Sequence, residues 1–124
     1  MDPTPSLASR EAAPRLAGVP HVGLSGTTIT VSNSDTFNSA ATGSLAASAF
    51  DSTNAVVCYI DTSGNCVHIG RSGTTISSQA EVQFKSGSIS FTSTAAFDST
   101  NAVVCYRFYD NSDFKGSCAH IGRS

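Results

Sequence analysis

Apolar residues in this chain fall in short runs separated by clusters of Asp, Asn, Ser, Thr and Gly. Two runs, "NAVVCYI" from Asn54 and "NAVVCYRF" from Asn101, are apolar at nearly every position. Such runs suit strands buried on both faces better than strands with one wet face. Each is preceded by a segment that reads as a first strand, "SLAASAF" from Ser44 and "ISFTSTAAF" from Ile89, and by a "DSTN" turn. Asp and Asn side chains bond nearby backbone and favour such turns. A third strand follows at "CVHIG" from Cys66 and "CAHIG" from Cys118. "RSGTT" then turns into a fourth, "TISSQAEVQF" from Thr75, whose counterpart earlier in the chain is "TITVSNSDTF" from Thr28. Four short strands joined by polar turns predict an antiparallel meander. No dozen-residue segment carries an apolar residue every three or four positions, so no helix is expected.

The pattern repeats. "AFDSTNAVVCY" occurs letter for letter at Ala49–Tyr59 and Ala96–Tyr106, 47 positions apart. His21 opens "HVGLSGTTIT", His68 opens "HIGRSGTTIS", and His120 opens "HIGRS". Phe37 matches Phe84 at the same spacing. The second unit is longer between its cysteines, "CYRFYDNSDFKGSC" against "CYIDTSGNC". Tandem meanders of this length, apolar on both faces, read as propeller blades that pack broadside. The expected fold is all-β: two tandem four-stranded antiparallel propeller-like blades, over 21–72 and 73–124. One small β-sandwich or barrel is the alternative. The first twenty residues hold all four prolines and are read as a flexible leader. Two blades cannot close a ring, and an open pair leaves apolar faces and strand edges bare. Self-assembly, or a place in a longer propeller or array, is therefore expected.

The order of these pieces resembles a class of β-propeller-like tandem repeats found in large multi-repeat proteins. The residues carrying the resemblance are Gly73–Ser77, Phe37–Ala40, Asp51–Thr53, Asp98–Thr100, Val103–Tyr106 and Asn111–Asp113. The likeness spans roughly 21–124, and the shortened "IDTSGN" loop departs from it. It implies a propeller-blade fold and carries no catalytic or binding residues with it.

Charge narrows the function. Net charge is −2 and the seven basic residues are scattered. No basic patch marks a nucleic-acid or anionic membrane surface, and neither partner is expected. No apolar run reaches the ~20 residues of a membrane span. The start lacks the basic and apolar regions of a secretory signal. Cys58 with Cys66, and Cys105 with Cys118, flank the loop between second and third strands. A hairpin there puts each pair within bridging reach if the register sets them opposite, worth roughly 2–3 kcal/mol on the entropic model. The alternative is Cys as a small apolar strand residue. Bridges imply an oxidising compartment, the missing signal does not, and localisation stays open.

Candidate sites are few. His21, His68 and His120 stand at matched positions, which raises metal or pH sensing, but repetition alone explains them. The cysteine spacings are not the two-to-four-residue knuckles of a structural zinc site, though His68 and His120 each follow a cysteine at two residues, and no metal or cofactor is expected. In "RFYDNSDFKG", Tyr109 and Phe114 interleave with Asp110, Asn111 and Asp113. Aromatic faces beside carboxylates and amides suit a sugar ligand. A solvated hairpin tip is the plainer reading. No G-x-S-x-G, HExxH, P-loop or GxGxxG occurs, so no enzyme is expected. The predicted function is a non-enzymatic interaction or scaffold module, with a small lectin-like glycan-binding oligomer as the alternative.

Overall fold

The computed structural model describes residues 9–10, 17–111 and 113–124, with Ser9, Arg10 and Phe91 described for their backbone alone. The described residues form strands without a helix, and the all-β expectation holds. Three antiparallel sheets result. The first contains β1 (Ser9–Arg10), β2 (Ala17–Ser25) and β3 (Thr28–Asn38) in that order. The middle sheet runs β4 (Gly43–Ala49), β5 (Asn54–Ile60), β6 (Gly64–Ser72) and β7 (Thr75–Ser78), with β8 (Val82–Lys85) also pairing β6. The third holds β9 (Ile89–Ala96), β10 (Asn101–Asp110) and β11 (Asp113–Gly122), with β10 in the centre. None of the three closes into a barrel among the described residues.

The turns explain where the sheets part. Ser25 pairs Thr28 and Ser72 pairs Thr75, leaving two-residue hairpin loops. Gly26 and Gly73 open these loops at φ of 62° and 60°, which residues with a Cβ rarely adopt. The "SGTT" string thus ties third strand to fourth inside one sheet. The border expected at 72/73 marks the sequence repeat rather than a sheet edge. The chain passes between sheets at 39–42 and 86–88 instead. As a result the first sheet carries third- and fourth-strand counterparts, the middle sheet a full set, and the third sheet the first three strands. Strand β2 opens at Ala17, inside the stretch expected as leader, and Ala17, Val19 and Pro20 are buried. Apart from Ser9–Arg10, the rest of that stretch lies outside the described residues.

Packing is face to face. Successive residues of a strand point to opposite faces. In β5, Val57 and Tyr59 join Val19, Val67 and Ile69, with Phe37, Leu45, Ala55 and Ile76 packed around them. This cluster joins the first and middle sheets. Val56 and Cys58 point the other way, into a cluster with Phe50, Cys66, Ala102 and Val104 that joins the middle and third sheets. The middle sheet is therefore buried on both sides, as its apolar run demanded. Each fully buried Val or Leu-sized side chain contributes about 1.5–3 kcal/mol.

The two junctions use matching contacts. Phe37 packs on Tyr59 with ring centroids 5.1 Å apart and planes at 52°. Phe84 packs on Tyr106 at 5.2 Å and 51°. Tilted pairs of this kind suit the aromatic quadrupole. A fourth-strand Phe of one sheet thus meets a second-strand Tyr of the next, twice in succession.

Candidate functional site

The "DSTN" turns are built identically. Asp51 Oδ1 accepts from the Thr53 N–H at 2.9 Å and from Asn54 Nδ2 at 2.9 Å. Asp98 does the same with Thr100 and Asn101, at 2.9 Å and 2.9 Å. These donors favour the carboxylate and hold both Asp51 and Asp98 below the usual range, the backbone N–H being the largest cause. The Asn side chain then reaches the third strand: His68 Nε2 donates to Asn54 Oδ1 at 2.8 Å, and His120 Nε2 to Asn101 Oδ1 at 2.8 Å. These two histidines brace the turn. His21 differs, lying 3.3 Å from the Ser32 hydroxyl. The repeat would place its Asn at position 7, which is Leu in this sequence. Burial holds His68 below its ordinary value, with Arg123 acting the same way and Asp51 opposing. Among the described residues no group of three or more His, Cys, Asp or Glu could hold a metal ion.

The turn arginines tie each third strand to its own turn, and one of them also links sheets. Arg71 donates through Nε and Nη2 to the Ser52 carbonyl, at 3.0 and 2.6 Å. Its counterpart Arg123 donates to the Ser99 carbonyl at 2.9 Å. Arg123 also crosses to the preceding turn, pairing Nη2 with Asp51 Oδ2 at 3.1 Å and lying 5.6 Å from the Phe50 ring centroid. Phe50, the residue before that Asp, is buried at 9% exposure, while its counterpart Phe97 is 71% exposed.

Both cysteine pairs are disulfides: Cys58–Cys66 and Cys105–Cys118, each with Cα atoms 4.0 Å apart. The pairs sit directly opposite in the β5–β6 and β10–β11 ladders, the register the bridges required. The first is sealed between the middle and third sheets. The second lies on the outer face of the third sheet, with Cys105 half-buried and Cys118 exposed.

The residues singled out as a ligand loop form the tip of the β10–β11 hairpin. Tyr109 pairs Phe114 across the ladder, and Asp110 pairs Asp113. The two rings meet edge to face at 5.2 Å, and Arg107 lies 4.2 Å from the Phe114 centroid. Both rings are 59% exposed. Asp110 is bridged to Lys115 at 3.1 Å, and Asn111 turns the chain with φ of 59°. The structure thus gathers Tyr109 and Phe114 on one face, shared with Arg107 and Cys105. The carboxylates lie at the tip, Asp110 engaged by Lys115. Phe108 points to the other face, packing on Tyr106 at 6.1 Å and under Lys85 at 4.7 Å.

Two clefts flank the middle sheet, and neither includes this hairpin tip. One, of about 390 Å³, lies toward the third sheet between β6, the segment joining β7 to β8, and the end of β11, and includes His68, His120 and Arg123. The other, of about 470 Å³, lies toward the first sheet between β2 and the β4–β5 turn. The sequence could not point to either cleft, because each depends on which strands meet across sheets. A third pairing was also illegible: Tyr59 donates its hydroxyl to Glu81, and burial with that carboxylate pushes the phenol up. No helix among the described residues is long and apolar enough to cross a membrane. Searches with this chain match no family model, no curated protein and no solved structure.

Proposed function

We propose that the chain is a non-enzymatic repeat-type interaction or scaffold module, whose sheets join by broadside stacking within a propeller-like array or assembly. One observation carries this reading: Val56–Tyr59 is buried on both faces of the middle sheet, because another sheet of the same repeat lies on each side. In the third sheet the same string is covered on one face, where Ala102 and Val104 pack on the middle sheet, while Val103 and Cys105 are half-buried. An apolar face of this kind marks an interaction surface. The test is light scattering together with binding of an apolar-surface dye. The reading predicts a discrete assembly, or a monomer that binds dye and loses the signal in Val103→Asp. A single monomer that binds no dye would refute it.

A second reading rests on the exposed rings of Tyr109 and Phe114 beside Asp110, Asn111 and Asp113. Exposed aromatic faces with polar groups at the rim suit a glycan. Glycan-array binding that disappears in Tyr109→Ala and Phe114→Ala would support it, and an array without signal for the parent chain would end it.

A further inference from the structure

We propose that the open edge of β11 takes up an extended segment of a separate polypeptide, a strand with the repeat's fourth-strand pattern of an isoleucine near its start and a phenylalanine near its end. This names a partner for the interaction module and rests on that reading.

The three sheets show which edge is open. In the first and middle sheets the third strand has a fourth strand on its far side: β3 beside β2, and β7 and β8 beside β6. The third strand of the third sheet, β11, ends its sheet and has no such neighbour among the described residues. Its side chains register the difference. Val67 and Ile69 in β6 are 2% and 4% exposed, in the cluster against which Ile76 of β7 packs. Their counterparts in β11, Ala119 and Ile121, are half-buried. Gly64 in β6 is buried, and a Cβ at that position would meet the Phe84 ring at 2.6 Å. Its counterpart Gly116 is exposed, and a Cβ there would meet nothing within 4 Å. In the middle sheet the fourth strand therefore lays an isoleucine on one face of the third strand and a phenylalanine on the other. On β11 both places are bare.

Backbone and neighbouring sheet agree with this. The Arg123 N–H turns inward to the Thr100 carbonyl at 2.8 Å, so strand alternation turns the N–H and C=O of Gly122 and His120 outward. In β6 the matching His68 carbonyl accepts from the Gln79 N–H at 3.0 Å. A row of outward groups on an edge strand is a template for strand addition. Between sheets, β7 lies on β3, where the Ile76 N–H donates to Asn33 Oδ1 at 3.3 Å and the Ser78 hydroxyl donates to Asp35. One repeat on, Ala80 and Val82 stand in the places of Asn33 and Asp35. They line the cleft of about 390 Å³ together with Ile121 and Gly122, and Val82 is 67% exposed. That cleft runs where a fourth strand beside β11 would lie. Its wall is apolar at this point, so the partner carries an apolar residue two positions after its isoleucine, as Val31 follows Ile29 in β3. Both fourth strands among the described residues, β3 and β7–β8, are engaged in their own sheets, so neither is spare in a second copy of this chain.

The test adds a synthetic peptide with the β3 sequence, Thr27–Phe37, to the full chain with its disulfides intact. Fluorescence anisotropy up to about 1 mM peptide reads affinity, and NMR amide shifts read the place. Saturable binding that moves the signals of Gly116–Gly122 is expected. Ile29→Asp in the peptide should weaken binding about 10-fold or more, as loss of an apolar anchor does. Methylating the backbone nitrogen of Ser32, the counterpart of Gln79, should weaken it about 5-fold by removing one ladder hydrogen bond. On the protein, Gly116→Val has room in the fold and fills the place of the incoming phenylalanine. It should weaken binding of the whole peptide and leave a peptide shortened before Phe37 unaffected. No saturable binding, binding insensitive to both peptide changes, or shifts away from β11 overturn the proposal. Concentration-dependent shifts of β11 without peptide assign the edge to a second copy and overturn it as well. In each case the dye and Val103→Asp measurements decide the wider stacking reading separately.

Discussion

Val56 and Val103 stand at the same place in the same eleven-residue string, yet the first is 2% exposed and the second half-exposed. Both strands are central in their sheets, with a hydrogen-bonded neighbour on each side. Backbone pairing is therefore matched, and so is local sequence. The difference lies in the face: among the described residues the middle sheet has a sheet on both sides, and the third sheet has one. Burial here is a property of stacking order and not of the string itself.

Large side chains give the greatest contrast. Tyr59 is fully buried against Phe37 and bonded to Glu81, while Tyr106 is half-buried against Phe84. Tyr59→Ala should cost about 4 kcal/mol and Tyr106→Ala about 2 kcal/mol, because the half-buried site loses less contact and leaves less cavity. Chemical denaturation of each variant measures this, and equal losses would break the contrast.

The disulfides sharpen it. Each closes a short loop and should contribute roughly 2–3 kcal/mol. Their accessibility differs, with Cys58 at 0% and Cys66 at 4% exposure, while Cys118 is exposed. Under mild reductant, Cys105–Cys118 should open first and Cys58–Cys66 only on unfolding, since exchange needs access to sulfur. Timed alkylation with mass spectrometry reads the order. Simultaneous opening would contradict the buried junction.

A smaller effect comes from acid. His68 has a folded-state value below its ordinary 6.5, so the unfolded chain takes up the proton more readily. Its contribution is present above 6.5 and is lost as pH falls through the lowered value. Stability should decline over that window, and His68→Gln should remove the step. The Asp51 and Asp98 turns add a separate loss below the ordinary carboxylate value of 3.8.

Much of this was legible in the sequence. The turn residues, the alternation of short runs and the repeat spacing indicated the strands and the all-β fold. The cysteine positions around one hairpin pointed to its register. Other features were hidden for physical reasons. A repeating meander can be divided at any of its linkers, and only the Gly26 and Gly73 hairpins show that third and fourth strands stay together. Ala17–Pro20 read as leader because they close the stretch that holds all four prolines, yet Val19 is held by the middle sheet's face. Identical strings could not reveal that Phe50 is covered and Phe97 bare. At the hairpin tip, the sequence shows Tyr109 and Phe114 in one loop, while their edge-to-face contact and Arg107 over Phe114 follow from the ladder alone.

The sharpest test of stacking is amide hydrogen exchange followed by NMR, where the two copies give separate signals. In dilute solution, amides of Val56–Tyr59 should exchange far more slowly than those of Val103–Tyr106, and the gap should narrow as concentration rises. Equal rates for the two copies at every concentration would contradict the account.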